Sequence, residues 1–200
     1  MATGSMATTK SRWAEENGLE KSTSLQNASS MNIPLSLRVY WVHSVQPNLA
    51  IMPCPEGGAQ LESEIEALQL SGVNVLVSLL VPEEEPRLQV ETEAILCQQK
   101  GLRFISFPIP DFDIPTSFQD VDQLVVQLQA ELLAGRKVVI HCRGGIGRSG
   151  MVAACLLIKQ GISVSDSLTA LRTARRCAVP ATRAQANWIE KYNEWRILSE

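Results

Sequence analysis

The sequence has little net charge, no long apolar run and no clustered cysteines, and each shortage removes a class of function. Its 200 residues carry a formal charge of only −3, so no global basic field exists to attract nucleic acid or an anionic membrane. Any anion site must be built locally. No apolar run reaches the roughly 20 residues that span a bilayer, and the first residues lack the apolar stretch of a secretory signal. The five cysteines, Cys54, Cys97, Cys142, Cys155 and Cys177, stand far apart, are odd in number and form no Cys-x-x-Cys pair or other metal-ligand cluster. That usage suits a reducing compartment. The expectation is a cytoplasmic protein with no nucleic-acid or membrane partner, no metal and no cofactor; oligomeric state is not legible.

What is present suits one globular domain. Residues 1–30 are polar, rich in Ser, Thr and Asn and without apolar periodicity, so they are expected to be a flexible arm ahead of a domain over residues 31–200. Two short runs either side of Pro47 look like a strand pair, and a loop, Pro53 to Gly58, follows. Leu61, Ile65, Leu68 and Leu70 mark a helix that stops at Gly72, before an apolar strand from Val73 to Leu80. Leu88, Ile95 and Leu96 mark a second helix ending at Gly101, followed by a strand from Leu102 to Ile109 and a proline-punctuated loop, Pro110-Asp-Phe-Asp-Ile-Pro-Thr116. Ser117 caps a third helix striped by Val121, Leu124, Val125, Leu128 and Leu132, and Lys137 to His141 is a strand running into Cys142. Three more helical segments follow, from Met151, Val164 and Thr182. Strands alternating with helices make the class α/β: a central, mostly parallel sheet flanked by helices.

The segment His141-Cys-Arg-Gly-Gly-Ile-Gly-Arg-Ser-Gly150 joins a strand to a helix through a glycine-rich turn. Such a turn lets successive backbone N–H groups, here from Arg143, Gly144, Gly145, Ile146 and Gly147, point into one concavity. The helix beginning near Ser149 adds a positive dipole end, which favours both a bound phosphate and a thiolate at Cys142. Arg148, six residues after Cys142, curls back so that its planar fork can hold two phosphate oxygens, a geometry lysine lacks. Arg143 adds positive potential at the mouth.

These residues, written His-Cys-x-x-Gly-x-x-Arg-Ser-Gly, resemble the signature of the protein tyrosine phosphatases, and from about Asn48 to Trp195 the chain is similar to the small dual-specificity branch of that superfamily. The resemblance implies a protein tyrosine phosphatase-like fold and two-step hydrolysis of phosphate monoesters on protein Tyr, and on Ser or Thr, through phosphocysteine at Cys142. It implies that Ser149 donates a hydrogen bond to the thiolate and that His141 orders the loop. A leaving oxygen needs a proton, and the sequence offers Asp111 and Asp113, both in the loop after a strand about thirty residues before Cys142. The resemblance aligns the general acid with Asp111, and it matches Gln185 to the glutamine that orients the attacking water. On residue type alone, a polar group near a helix start faces solvent.

The partner implied is a phosphorylated protein substrate. A phosphoprotein-binding pseudophosphatase is the non-catalytic alternative, opposed by the presence of nucleophile, arginine, serine and an acid. A phosphoinositide phosphatase is the rival within the same chemistry, and it is disfavoured because the loop from Cys142 to Arg148 contains no lysine to grip further phosphates.

Overall fold

The computed structural model describes residues 37–199 and Met1; the arm expected over residues 1–30 lies outside the described residues, Met1 apart. The strands are β1 (Tyr40–Val42), β2 (Gln46–Pro53), β3 (Val73–Ser78), β4 (Arg103–Ser106) and β5 (Lys137–Cys142). The helices are α1 (Leu61–Leu70), α2 (Glu85–Leu88), α3 (Glu93–Gln99), α4 (Phe118–Leu133), α5 (Arg148–Lys159), α6 (Val164–Arg175) and α7 (Arg183–Ser199). The strand order is β1-β2-β5-β3-β4. Only β1 is antiparallel to its neighbour, and β2, β5, β3 and β4 run parallel. Their carboxyl ends therefore share one edge of the sheet, where open α/β sheets place their ligands.

Alternation along the strands sorts side chains between two cores. Leu49, Ile51, Val75, Val77, Val138, Ile140 and Cys142 face α4, α5, α6 and α7. Ala50, Met52, Leu76 and Val139 face the smaller layer built on α1 and α3. The alternation turns His141 to the α1/α3 side while Cys142 faces α5. Helix α5 is buried along its whole length from Arg148 to Ile158, because α4, α6 and α7 surround it on the sheet. Apolar residues on every face are what such a central helix requires.

Three expectations change in detail. The single helix expected before Gly101 is two, α2 and α3, because Gln89 adopts a left-handed backbone, φ 57°, that ends α2, and Val90 is then buried in the core. The strand pair does not break at Pro47. That residue lies inside β2, where the β1–β2 register slips between Trp41 and Val42 and no regular ladder needs its N–H. The apolar runs ending at Leu80 and Ile109 outlast β3 and β4, because their last residues leave the strand to line the site while still donating backbone hydrogen bonds: Leu79 to His141 at 3.0 Å, Phe107 to Ser78 at 2.9 Å and Ile109 to Leu79 at 3.2 Å. The cap foreseen at Ser117 forms, its hydroxyl accepting from the Asp120 N–H at 3.1 Å.

An aromatic cluster ties α4 to α7. Phe118, at the start of α4, lies tilted 4.8 Å from Trp188 and stacks 5.9 Å from Trp195, and Trp188 lies parallel to Tyr192 at 5.8 Å. Near it, Gly150 in α5 has no room for a side chain, since a Cβ there would lie 2.3 Å from Val179 Cγ1. Glycine to alanine in a helix normally stabilises by about 1 kcal/mol. Here the sign reverses: Gly150→Ala is expected to lower the free energy of unfolding by roughly 1–3 kcal/mol through overpacking, read from urea denaturation midpoints.

Candidate active site

The loop from Cys142 to Arg148 is held from three sides. On the sheet side, Gly145 takes φ +65°, and a Cβ there would sit 2.3 Å from the Met52 carbonyl carbon and 2.4 Å from the Pro53 nitrogen. The Cys54 N–H donates to the Arg143 carbonyl at 3.2 Å. On the outer side, Arg175 of α6 donates from Nε to the Gly145 carbonyl at 3.0 Å and from Nη2 to the Gly144 carbonyl at 3.1 Å, while its guanidinium lies 4.1 Å from the Tyr40 ring centroid. In a trans peptide the next N–H points opposite to its carbonyl, so turning these two carbonyls outward turns the N–H groups of Gly145 and Ile146 inward. On the third side Gln185 packs against Gly147, where a Cβ would come 2.8 Å from Gln185 Oε1.

Inside this loop lies a cavity of about 390 Å³ lined by Cys142, Arg143, Gly144, Ile146, Gly147 and Arg148 together with Asp111, Phe112, Ala181 and Gln185. Gly145 does not line it: its Cα packs on the end of β2, which leaves its N–H as its contribution to the loop. Ser149 lies behind the thiol, its hydroxyl 3.5 Å from Cys142 Sγ.

Arg148 is only 1% exposed. A guanidinium cannot shed its proton, so burial demands opposite charge and acceptors. Glu84 supplies both carboxylate oxygens, one to each terminal nitrogen, in a bidentate fork. Asp111 Oδ1 accepts from Nη2 at 2.9 Å, and the carbonyls of Ile109 and Leu79 accept from Nη1 at 2.9 and 3.3 Å. Nε has no partner among the described residues, which leaves one N–H to donate to an anion. Burial alone would push the Glu84 carboxyl up, but the hydrogen bonds from Arg148 and the Val81 N–H, with the charges of Arg148 and Arg143, hold it below the usual carboxylate range. Burial opposes the charge on Arg148, and Glu84, Cys142 and Asp111 more than offset it.

The two candidate acids separate on geometry. Asp111 lines the cavity, bonds Arg148 and lies 3.6 Å from Arg143. Asp113 does not line it; its side chain accepts from the Ile114 N–H at 2.8 Å, a turn-forming role. Its carbonyl accepts from Gln185 Nε2 at 3.1 Å, and the Thr182 N–H donates to Gln185 Oε1 at 3.3 Å. Gln185 is fully buried, so the solvent-facing expectation from its residue type is set aside: the chain before α7 folds back over the loop.

His141 is fully buried, with Nε2 3.2 Å from Glu93 Oε1 but without hydrogen-bond alignment. Glu93, at the start of α3, is itself buried. Cys54 is half-buried; burial, with the negative charges of Glu93, Cys142, Glu84 and Glu64, pushes its thiol well up, so it is held neutral. Sequence reasoning missed Glu84, Glu93, Phe112 and Arg175. The first two are single acids in acidic stretches, and Arg175 is one of several arginines in its helix, with nothing local to single it out.

Residues 50–162, more than half of the chain, match the family model described as "Polymorphic toxin system, DSP-PTPase phosphatase". The chain is 30% identical over 136 residues to the rat protein named cyclin-dependent kinase inhibitor 3, a match that covers 67% of this chain and spans 64% of the length of that relative. It is 28% identical over 143 residues to the protein tyrosine phosphatase PRL-1 of Leishmania major, covering 67% of this chain and 75% of that protein. Among solved structures, the fold is similar to kinase associated phosphatase carrying a serine in place of its catalytic-site cysteine (TM-score 0.73, 24% identity, 82% of this chain and 97% of that one). It is also similar to Tk-PTP in its active form (TM-score 0.66, 25% identity, 78% and 96%). This chain belongs to the DSP-PTPase family of tyrosine and dual-specificity phosphatases.

Proposed function

We propose that the protein is a metal-independent phosphatase that hydrolyses phosphotyrosine, and also phosphoserine or phosphothreonine, on protein substrates through a phosphocysteine intermediate, with residues 31–200 as its phosphatase domain. The observation that carries the reading is the lining of one cavity by Cys142, the glycine-rich loop after it and the buried Arg148, whose Nε has no partner among the described residues. In the first step Sγ attacks phosphorus, the ester bond breaks, and Asp111 gives its proton to the departing oxygen. In the second, water attacks the phosphocysteine, its proton returns to Asp111, and Sγ leaves as a thiolate that accepts a hydrogen bond from Ser149. Loop N–H groups and Arg148 hold the three phosphoryl oxygens throughout. In this reading Gln185, which lines the cavity, orients the water, and His141 orders the loop.

Phe112 supports an aromatic ester among the substrates. It is 68% exposed at the cavity mouth, where a ring can stack on a phosphotyrosine ring. The similarity to proteins named cyclin-dependent kinase inhibitor 3 and kinase associated phosphatase supports a phosphorylated kinase as one kind of protein substrate. Among the described residues no helix is long and apolar enough to cross a membrane, and all five cysteines are free thiols.

Turnover of p-nitrophenyl phosphate in EDTA is the first test. Wild type should be active, Cys142→Ser inactive, and Asp111→Asn slower by roughly 10²–10³-fold, while Asp113→Asn stays within a few-fold. A wild type that binds vanadate tightly yet turns over nothing would sink the proposal in favour of phosphoprotein binding.

Glu84 gives a second test. Glu84→Gln should lower kcat/KM by roughly 10²-fold by loosening Arg148, and stability by about 3 kcal/mol by leaving a buried cation without its fork. Because the folded protein holds this carboxyl below its unfolded value of 4.5, its contribution is complete above about pH 4.5 and disappears as pH falls through the folded value. The variant should therefore unfold with a shallower acid limb, measured by circular dichroism between pH 6 and 3.

A further inference from the structure

The acid loop is strained where its two aspartates meet. Phe112, between Asp111 and Asp113, has a left-handed backbone, φ 60°, a conformation that a bulky residue keeps only where its surroundings over-determine it. One constraint is local: the Asp113 N–H donates to the Pro110 carbonyl at 3.1 Å, closing a turn over Asp111 and Phe112. Another comes from far along the chain, where Gln185 Nε2 donates to the Asp113 carbonyl at 3.1 Å across 72 residues of sequence. Gln185 is itself fixed. It is fully buried, its Oε1 accepts from the Thr182 N–H at 3.3 Å, and its own N–H donates to Thr182 Oγ1 at 3.2 Å. Its amide lies against Gly147, where a Cβ would come 2.8 Å from Oε1 and 3.1 Å from Nε2. One side chain therefore ties the loop that carries Asp111 to the loop that carries Cys142 and Arg148.

We propose that Gln185 is a positioning residue for the general acid: by gripping the Asp113 carbonyl it holds the strained turn at Phe112 and keeps Asp111 aimed into the cavity. The proposal rests on the phosphatase reading of that cavity and gives Gln185 a task before the one it has toward water. Orienting water concerns only the second step, hydrolysis of phosphocysteine. A grip on the acid loop acts in the first, when the S–P bond forms, the P–O bond breaks with its electron pair going to the leaving oxygen, and the Asp111 proton passes to that oxygen. One amide can do both, since Nε2 carries two hydrogens and Oε1 two lone pairs, and the bonds to Asp113 and Thr182 use one of each. The Asp113 carboxylate has no part in the grip, which explains why Asp113→Asn is expected to be mild.

The test is Gln185→Met, which keeps the length and burial of the side chain and removes its hydrogen bonds. It is read as kcat/KM, which reports the steps up to formation of phosphocysteine, with two aryl phosphates. Phenyl phosphate, whose leaving oxygen most needs a proton, should lose roughly 30-fold, and p-nitrophenyl phosphate only about 3-fold. In an Asp111→Asn background the same substitution should cost less than about 2-fold with either substrate, because it acts through the missing acid. Gln185→Asn, which keeps the amide but is one methylene short of the Asp113 carbonyl, should give the same pattern. A fall in kcat alone, with kcat/KM unchanged for both substrates, confines Gln185 to the water and overturns the proposal. So does a loss of equal size for both substrates, or one that persists in Asp111→Asn, since either describes a general loosening. Amide hydrogen exchange over residues 110–116 is followed in parallel: losing the grip should speed it roughly 10-fold and leave α5 unchanged, and unaltered exchange in the loop also overturns the proposal. Exchange needs no turnover, so an inactive wild type strikes the phosphatase reading while the grip is still scored.

Discussion

A buried guanidinium organises this end of the molecule. Arg148 sits at the start of the central helix α5, nearly sealed from water, and a permanent cation there is tolerated only if acceptors reach it from every side. They come from the carboxyl ends of two parallel strands and the loops beyond them: the Leu79 carbonyl and Glu84 after β3, the Ile109 carbonyl and Asp111 after β4. Strand order matters because β5, which delivers Cys142, lies directly beside β3, which β4 flanks. A register slip would carry the acceptors away from the cation and would also exchange Cys142 for His141 on the α5 face. Fold and site are therefore one constraint.

The loop that carries the thiol is rigid for a complementary reason. Glycine at 145 permits both the left-handed backbone and contact with the end of β2, while Arg175, itself stacked on Tyr40, caps the outward carbonyls. An anion cradle made of backbone N–H groups works only if those groups are already aimed, since reorienting them during reaction would cost the stabilisation they supply. Cation outside and N–H groups inside are two faces of the same peptide planes.

Much of this was legible in the chain. The strand, Cys142, glycines and Arg148 are contiguous, and local chemistry dictates the turn they form. The helices of period 3.6 were equally plain, as Val121 to Leu132 shows. What escaped was of two kinds. The break between α2 and α3 depends on a left-handed Gln89 that no Gly or Pro announces, because burial of Val90 and packing of the preceding loop override propensity. Glu84, Glu93 and Arg175 act on the site across 64, 48 and 30 residues of sequence, and no spacing rule reaches so far. Asp111 and Asp113 could be narrowed to a loop but not separated, since alternate residues of a turn differ only in where the fold points them. Gln185 shows the opposite failure: residue type suggested solvent, and the chain before α7 buries it.

The position of Asp111 carries its own consequence. As the structure stands, its carboxylate accepts from the same Nη2 that donates to Glu84, and it leans toward Arg143. A phosphate dianion entering the cavity must compete for these cations, since Arg148 has one uncommitted N–H and the loop supplies the rest. Two anions forced side by side repel by several kcal/mol in a site of reduced dielectric, so an anion that enters draws Arg148 and Arg143 away from Asp111. The same competition explains why a carboxylate, rather than a neutral donor, suits this position: it neutralises Arg148 and Arg143 and, under the proposed reaction, yields them to the phosphate that enters.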